Sequence, residues 1–273
     1  MRPLLAVLIG TVFLTTVSAC ASSAPDSIVG KKTLVIGVKP DQPQLGVKLG
    51  EGKYEGFEVS VADYIARKLG ATDIRFTDAP SSKRESLIRS GQVDLVVATY
   101  SITQERKTKV SFAGPYLIAH QDILVREADN SIKNVRDLTG RKICKVTGSD
   151  SWRRVLKERQ IKAQTVDADN YSECMHLLQK GKIDAVSSDD VILAGLVWEA
   201  RTDGFPVKLV GAPFTDERFG VGLRIDDIEG CEAVNRIITE MYQGGTYMSL
   251  YANWLLNDYL TPNHHVPQFE GCG

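Results

Sequence analysis

The sequence predicts an α/β protein of two similar lobes, and three observations carry that prediction. Short β-branched runs alternate with amphipathic helical stretches, the pattern of mostly parallel sheets covered by helices. A helix–glycine–strand unit occurs twice, the second copy 90 residues after the first. At 273 residues, the chain also exceeds what a single core usually holds together.

From the N-terminus, residues 1–19 read as a secretory signal. Arg2 is their only charge, and the apolar or hydroxylic stretch over 4–17 is too short to span a bilayer comfortably. The signal ends in Val17-Ser18-Ala19-Cys20, which looks like a lipobox whose cysteine thiol takes a diacylglyceryl group. Small and polar residues follow to Ser27, as a tether between anchor and folded domain needs. The expected division is a signal over 1–19 and a tether over 20–30, with the chain held by lipid at the extracellular face of the cell membrane. Beyond the signal, no uncharged apolar run approaches the ~20 residues of a membrane helix.

The first lobe builds from a strand over 33–39, a helix over 59–68, a strand over 74–77, a helix over 83–89 and a strand over 95–98. A strand over 142–146, a helix over 152–159, a strand over 164–166, a helix over 171–180 and a strand over 185–187 form the second. Leu87-Ile88-Arg89-Ser90-Gly91-Gln92-Val93-Asp94-Leu95-Val96 matches Leu177-Leu178-Gln179-Lys180-Gly181-Lys182-Ile183-Asp184-Ala185-Val186. Each copy reads as a helix end, a glycine C-cap and a buried strand. Each strand then runs into polar residues, Thr99-Tyr100-Ser101 in one and Ser187-Ser188-Asp189 in the other. Ligands of such sheets sit beyond the carboxyl ends of the strands, so two lobes face each other across a cleft. Segments 121–125 and 219–223 cross between them, and the glycines of the second suit a hinge. Gly220-Val221-Gly222 lacks the third glycine of a nucleotide fingerprint. Helices over 228–242 and 247–256 return to the first lobe. Lobe 1 is therefore expected over 31–121 and 220–273, and lobe 2 over 122–219.

With 33 basic against 34 acidic side chains, the chain carries no basic footprint for nucleic acid. Setting Cys20 aside, four of the five cysteines remain, an even number suited to an oxidising compartment. Three pairings are possible. Cys144–Cys174 within one lobe and Cys231–Cys272 pinning the tail are favoured. No CxxC pair exists and the only adjacent histidines, His264 and His265, lie in the tail, so no metal is expected. The sequence has no GxSxG elbow, HExxH helix or Walker loop, and His120 and His176 stand alone. No catalytic residue and no cofactor are expected.

Gly56-Phe57-Glu58-Val59-Ser60-Val61-Ala62, Ser101-Ile102-Thr103-Gln104-Glu105-Arg106 and Phe112-Ala113-Gly114-Pro115-Tyr116 together resemble the polar-amino-acid (family 3) solute-binding proteins of ABC importers. Lys39-Pro40-Asp41-Gln42-Pro43 and the Cys144 and Cys174 pair look most like the glutamate-binding lipoproteins of Gram-positive importers. Ser60 replaces a usual acidic residue, and Ser101 a usual threonine. The resemblance implies a Venus-flytrap fold with a mixed, mostly parallel sheet in each lobe and two hinge strands. It also implies a monomer that closes on a free amino acid and hands it to a membrane permease and its ATPase, without catalysis.

The ligand chemistry follows. Arg106 is the candidate for the α-carboxylate, since a guanidinium fork pairs bidentately with a planar carboxylate. Ser101 and neighbouring amides add donors. Asp189 is the candidate for the ammonium by family position, while Asp189 or the adjacent Asp190 caps the next helix. The Thr99 carbonyl shares the ammonium. Lys39, at the carboxyl end of the first strand, falls where the resemblance places a residue that meets the ligand's side chain. A cation there favours glutamate, with aspartate as competitor. Gly148, Ser149, Lys145, Ser151, Arg153 and Ser188 are further candidates from the second lobe, although Gly148-Ser149-Asp150-Ser151 reads equally well as an N-cap turn. Glutamine or another polar amino acid is the alternative ligand, and an amino-acid sensor or an enzyme on the same fold is the alternative function.

Overall fold

The computed structural model describes residues 27–272. The signal, Cys20 and most of the tether lie outside the described residues. The first unit comprises β1 (Thr33–Val38), β2 (Asp41–Gln42), β3 (Gly46–Gly50), β4 (Lys53–Glu55), α1 (Phe57–Lys68), β5 (Asp73–Asp78), α2 (Arg84–Arg89), β6 (Leu95–Val97) and α3 (Gln104–Lys107). The long strand β7 (Ser111–Arg126) leads to β8 (Lys142–Val146), α4 (Ser151–Arg153), β9 (Gln164–Ala168), α5 (Tyr171–Gln179), β10 (Ala185–Asp189), α6 (Asp190–Thr202) and β11 (Val207–Leu209). Strand β12 (Thr215–Leu223) returns the chain to α7 (Ile228–Gln243) and α8 (Thr246–Trp254).

Two parallel sheets are joined by two crossing strands. The order is β5-β1-β6-β12-β7-β10-β8-β9, with β11 also on β7. β1 pairs parallel with β5 and β6, and β8 parallel with β9 and β10. β7 and β12 run antiparallel, from Ser111 opposite Leu223 to Gln121 opposite Thr215. Beyond that, β7 pairs with β10 and β11. Leu34, Ile36 and Val38 of β1 alternate into the core beside Val61, Ala62, Ile65 and Ala66 of α1, the period-2 and period-3.6 faces meeting as expected.

The internal repeat is structural. Gly91 and Gly181 end α2 and α5 with φ of 70° and 66°, the left-handed turn that favours glycine. The Asp94 carboxylate then accepts from the Val35 amide of β1 at 2.8 Å, and the Asp184 carboxylate from the Lys142 amide of β8 at 2.8 Å. In both copies the aspartate clips its strand to the first strand of its own unit. Disulfides join Cys144 of β8 to Cys174 of α5, and Cys231 of α7 to Cys272 in the tail.

One local expectation is corrected. The helix read over 152–159 is a short α4 followed by a π-helical turn, Arg154–Glu158, because the Arg159 amide reaches back to the Arg154 carbonyl, five residues earlier. The glycines of 219–223 are also required by packing. A Cβ on Gly220 would lie 2.8 Å from the Ile102 side chain, and one on Gly222 2.8 Å from the Tyr100 ring. Gly220 marks a bulge in the β12–β7 ladder.

Candidate functional site

The polar ends of both repeated strands open into one narrow cavity between the units. Ser81, Arg84, Thr99, Ser101 and Arg106 face it from the first unit, and Ser149, Asp150, Ser151, Arg154, Tyr171 and Asp189 from the second. Gln121 of β7 and Glu217 of β12 supply the walls between.

Lobe 1 contributes two buried guanidinium groups. Arg106 is positioned by the Thr103 hydroxyl, which caps α3 by accepting from the Arg106 amide at 3.2 Å. Its guanidinium donates to the Ser101 carbonyl at 2.8 Å and to the Gly148 carbonyl across the cleft at 3.2 Å, and it pairs with Asp150 at 2.9 Å. Arg84 begins α2 and is 2% exposed. It donates to the carbonyls of Ala98, Thr99 and Gly148 at 3.0, 2.9 and 3.2 Å. Both stack on Tyr100, at 4.4 Å for Arg84 and 5.1 Å for Arg106, a desolvated cation–π arrangement. Burial and the neighbouring Arg106 charge lower the Arg84 pKa to about 10. No carboxylate lies within ion-pair distance of Arg84 among the described residues.

Lobe 2 contributes the acidic end. Asp189 closes β10 in extended conformation before α6, yet its side chain makes no capping bond. Asp190 takes the local role, its carboxylate accepting from the Val191 amide at 2.8 Å and the His120 amide at 3.1 Å. The Asp189 carboxylate is 5% exposed and meets no cation within ion-pair distance among the described residues. Burial, then the charges of Glu217 and Asp190, push its pKa well above the ordinary carboxylate range, against the pull of Arg154 and Arg106. Glu217 is held by Arg154, Nε to Oε1 at 2.7 Å and Nη2 to Oε2 at 3.1 Å.

Hydroxyl groups line the rest. The Tyr171 hydroxyl meets those of Ser149 and Ser151 at 3.2 Å each and accepts from Ser188 at 2.7 Å. Gln121 donates to the Ser151 carbonyl at 2.7 Å and the Ser187 hydroxyl at 2.8 Å.

Of the residues singled out in the sequence, Thr99, Ser101, Arg106, Ser149, Ser151 and Asp189 line the cavity. Gly148 sits at its rim, on the outer mouth. Ser188 stands behind Tyr171. Lys145 and Arg153 do not reach the cavity. They line an outer mouth beside Trp152, where Lys145 pairs with Asp167 at 2.9 Å and Arg153 with Glu105 across the cleft at 2.9 Å. Lys39 is also displaced from its expected place. Its ammonium is buried behind Ser81, donating to that hydroxyl at 2.5 Å, because β1 ends at Val38 and the chain turns at once into the β2–β3 hairpin. Sequence reading missed Arg84, Ser81, Gln121, Asp150, Arg154, Tyr171 and Glu217. Arg84 and Tyr171 start helices that follow strands β5 and β9, at the same carboxyl edge that exposed Ser101 and Asp189.

The profile of the bacterial extracellular solute-binding proteins, family 3, matches residues 34–257. The chain is 35% identical over 265 residues to the glutamate-binding protein GluB of Corynebacterium glutamicum, covering 92% of this chain and 90% of that one. It is 32% identical to the glutamine-binding protein GlnH of Bacillus subtilis, over 82% of each. Among solved structures, an ancestral arginine-binding protein bound to arginine superposes with a TM-score of 0.75 at 33% identity, over 83% of this chain and 99% of that one. The architecture is thus that of a two-lobed Venus flytrap.

Proposed function

The chain belongs to the bacterial extracellular solute-binding proteins of family 3, and from that premise we propose that it captures a free acidic L-amino acid, glutamate first and aspartate second. One observation supports this above the rest. Arg84 and Asp189 are both buried in the lining of one cavity, on opposite lobes and opposite in sign, and among the described residues neither has an ion-pair partner of its own. An uncompensated buried charge is costly, and a ligand with an ammonium and two carboxylates compensates both. Arg106 and Ser101 take the α-carboxylate, Asp189 and the Thr99 carbonyl the ammonium. Arg84, with Ser149 and Ser151 nearby, takes the distal carboxylate, the role first read for Lys39.

The same reading makes the protein a carrier without turnover, held by a lipid on Cys20 at the outer membrane face. It delivers its ligand to an ABC permease and ATPase, with lobes over 31–121 plus 220–273 and over 122–219. Calorimetric titration of residues 27–273, unfolded and refolded to strip carried-over ligand, tests it. Tight binding confined to glutamate and aspartate is expected. Preference for glutamine, arginine or histidine overturns the side-chain assignment, and no heat with any amino acid overturns the capture itself.

A further inference from the structure

Glu58 is a buried acidic residue that the ligand site does not use. It is fully buried in the first turn of α1, where a carboxylate needs a strong reason to remain. The helix start is fixed by the hairpin before it, since the Phe57 and Glu58 amides donate to the carbonyls of Gln44 and Leu45 at 2.8 and 2.9 Å. From that fixed point the Glu58 carboxylate reaches the loop after β6. Its Oε1 accepts from the Thr99 amide at 2.7 Å and from the Tyr116 hydroxyl. Its Oε2 is buried with no hydrogen-bond partner among the described residues.

Thr99 is the residue that needs holding. Its φ is 43°, in the left-handed region that a β-branched residue adopts only under constraint. In that conformation its carbonyl accepts from Arg84 at 2.9 Å, and its hydroxyl donates to Gln42 at 3.1 Å. A relaxed Thr99 would turn this carbonyl away and release Arg84 from one of its anchors.

We infer that Glu58 is a positioning residue for the ligand cavity, acting through the Thr99 amide to hold the Thr99 carbonyl and the Arg84 guanidinium in place. This rests on the amino-acid capture proposed above, and the test keeps the two apart. On the chain from Ser27 onward, which holds every described element of the fold, glutamate affinity is measured for Glu58→Ala, Glu58→Asp, Thr99→Gly and the doubles with Thr99→Gly. Tyr116→Phe, which removes the other bond to the same oxygen, is the structural control. Glu58→Ala and Glu58→Asp are expected to weaken glutamate by roughly tenfold or more. In the Thr99→Gly background the same changes cost less than about threefold, because glycine adopts a positive φ unaided. Tyr116→Phe lowers the melting temperature and leaves affinity within about threefold. Amide exchange at Thr99, read without ligand, slows in the parent chain and quickens in both Glu58 variants. If Glu58→Ala does not fold, Glu58→Asp carries the comparison. Unchanged glutamate affinity, or Thr99 exchange indifferent to Glu58, overturns the inference. A parent chain that binds no amino acid overturns the capture instead, and Thr99 exchange then decides the role of Glu58 alone.

Discussion

Replacing Gly148 by alanine separates closure of the lobes from the stability of either one. Gly148 has a φ of 78°, and holding alanine there costs roughly 1–2 kcal/mol whether the lobes are together or apart. The second effect exists only when they meet. A Cβ would lie 2.5 Å from the Ser81 carbonyl carbon and the Ser82 amide nitrogen. These are backbone atoms of the opposite lobe and cannot rotate away. Restoring ordinary contact parts the lobes by about 1 Å at this point. The bonds from Arg84 and Arg106 to the Gly148 carbonyl, each 3.2 Å, then pass beyond hydrogen-bond range. Two bonds from charged donors, at about 1.5 kcal/mol each, correspond to roughly a hundredfold in affinity. Calorimetry, urea unfolding and small-angle scattering with saturating ligand read the two effects apart. The expected result is a modest stability loss, affinity weaker by about a hundredfold and incomplete compaction. Affinity within threefold of the parent, with normal compaction, would refute the reasoning.

Three other perturbations probe separate parts of the molecule. Arg84→Gln should weaken glutamate by roughly 10- to 100-fold while changing glutamine less than threefold, and equal losses for both would remove Arg84 from specificity. Lys39 has a pKa of about 7, lowered by burial and then by Arg84, against an ordinary value of 10.5. The unfolded chain therefore binds the extra proton between these values, and unfolding free energy rises with pH across that window at up to about 1.4 kcal/mol per pH unit. Lys39→Met should flatten the rise in urea titrations from pH 7 to 9, and parallel curves would show that Lys39 is not its source. Removing the Cys231–Cys272 disulfide, which spans 41 residues, by serine at both positions should cost about 4 kcal/mol of stability on the chain-entropy estimate. A loss below about 1 kcal/mol in guanidinium unfolding would mean that the tail's other contacts, among them Glu270 with Arg218 at 2.6 Å, pin it without the disulfide.

The fold was legible because its signals are local and repeated. Helix, glycine, strand and aspartate recur at fixed spacing, and the same hydrogen bonds form in both copies. Cysteine parity limited the pairings to three, and the favoured one is present. Site residues at the carboxyl ends of the repeated strands were legible for the same reason. Arg154 was not, because an α-helical reading of 152–159 gives no hint of the π turn that starts at this residue beside Glu217. Glu217 and Gln121 lie on crossing strands, where a polar residue reads as an edge or a solvent face until the partner strand is known. Lys39 was misplaced by a turn. The strand ends at Val38, and the Lys39 ammonium bonds the Ser81 hydroxyl instead of lining the cavity.

The division of charge between the lobes bears on why closure and capture go together in the proposed reading. Among the described residues, Arg84 of lobe 1 and Asp189 of lobe 2 have no ion-pair partner. A zwitterion bound to one lobe alone satisfies half of its charge and leaves the other half in water. Only when the lobes meet do both ends enter the low-dielectric space where a charge pair is worth several times its value in water. A ligand lacking either charge therefore gains little from closure and leaves one buried group uncompensated, at a cost that falls on the closed form alone. Discrimination against molecules that are merely amines or merely acids then needs no contact beyond those already described. It follows from placing opposite charges on the two facing surfaces.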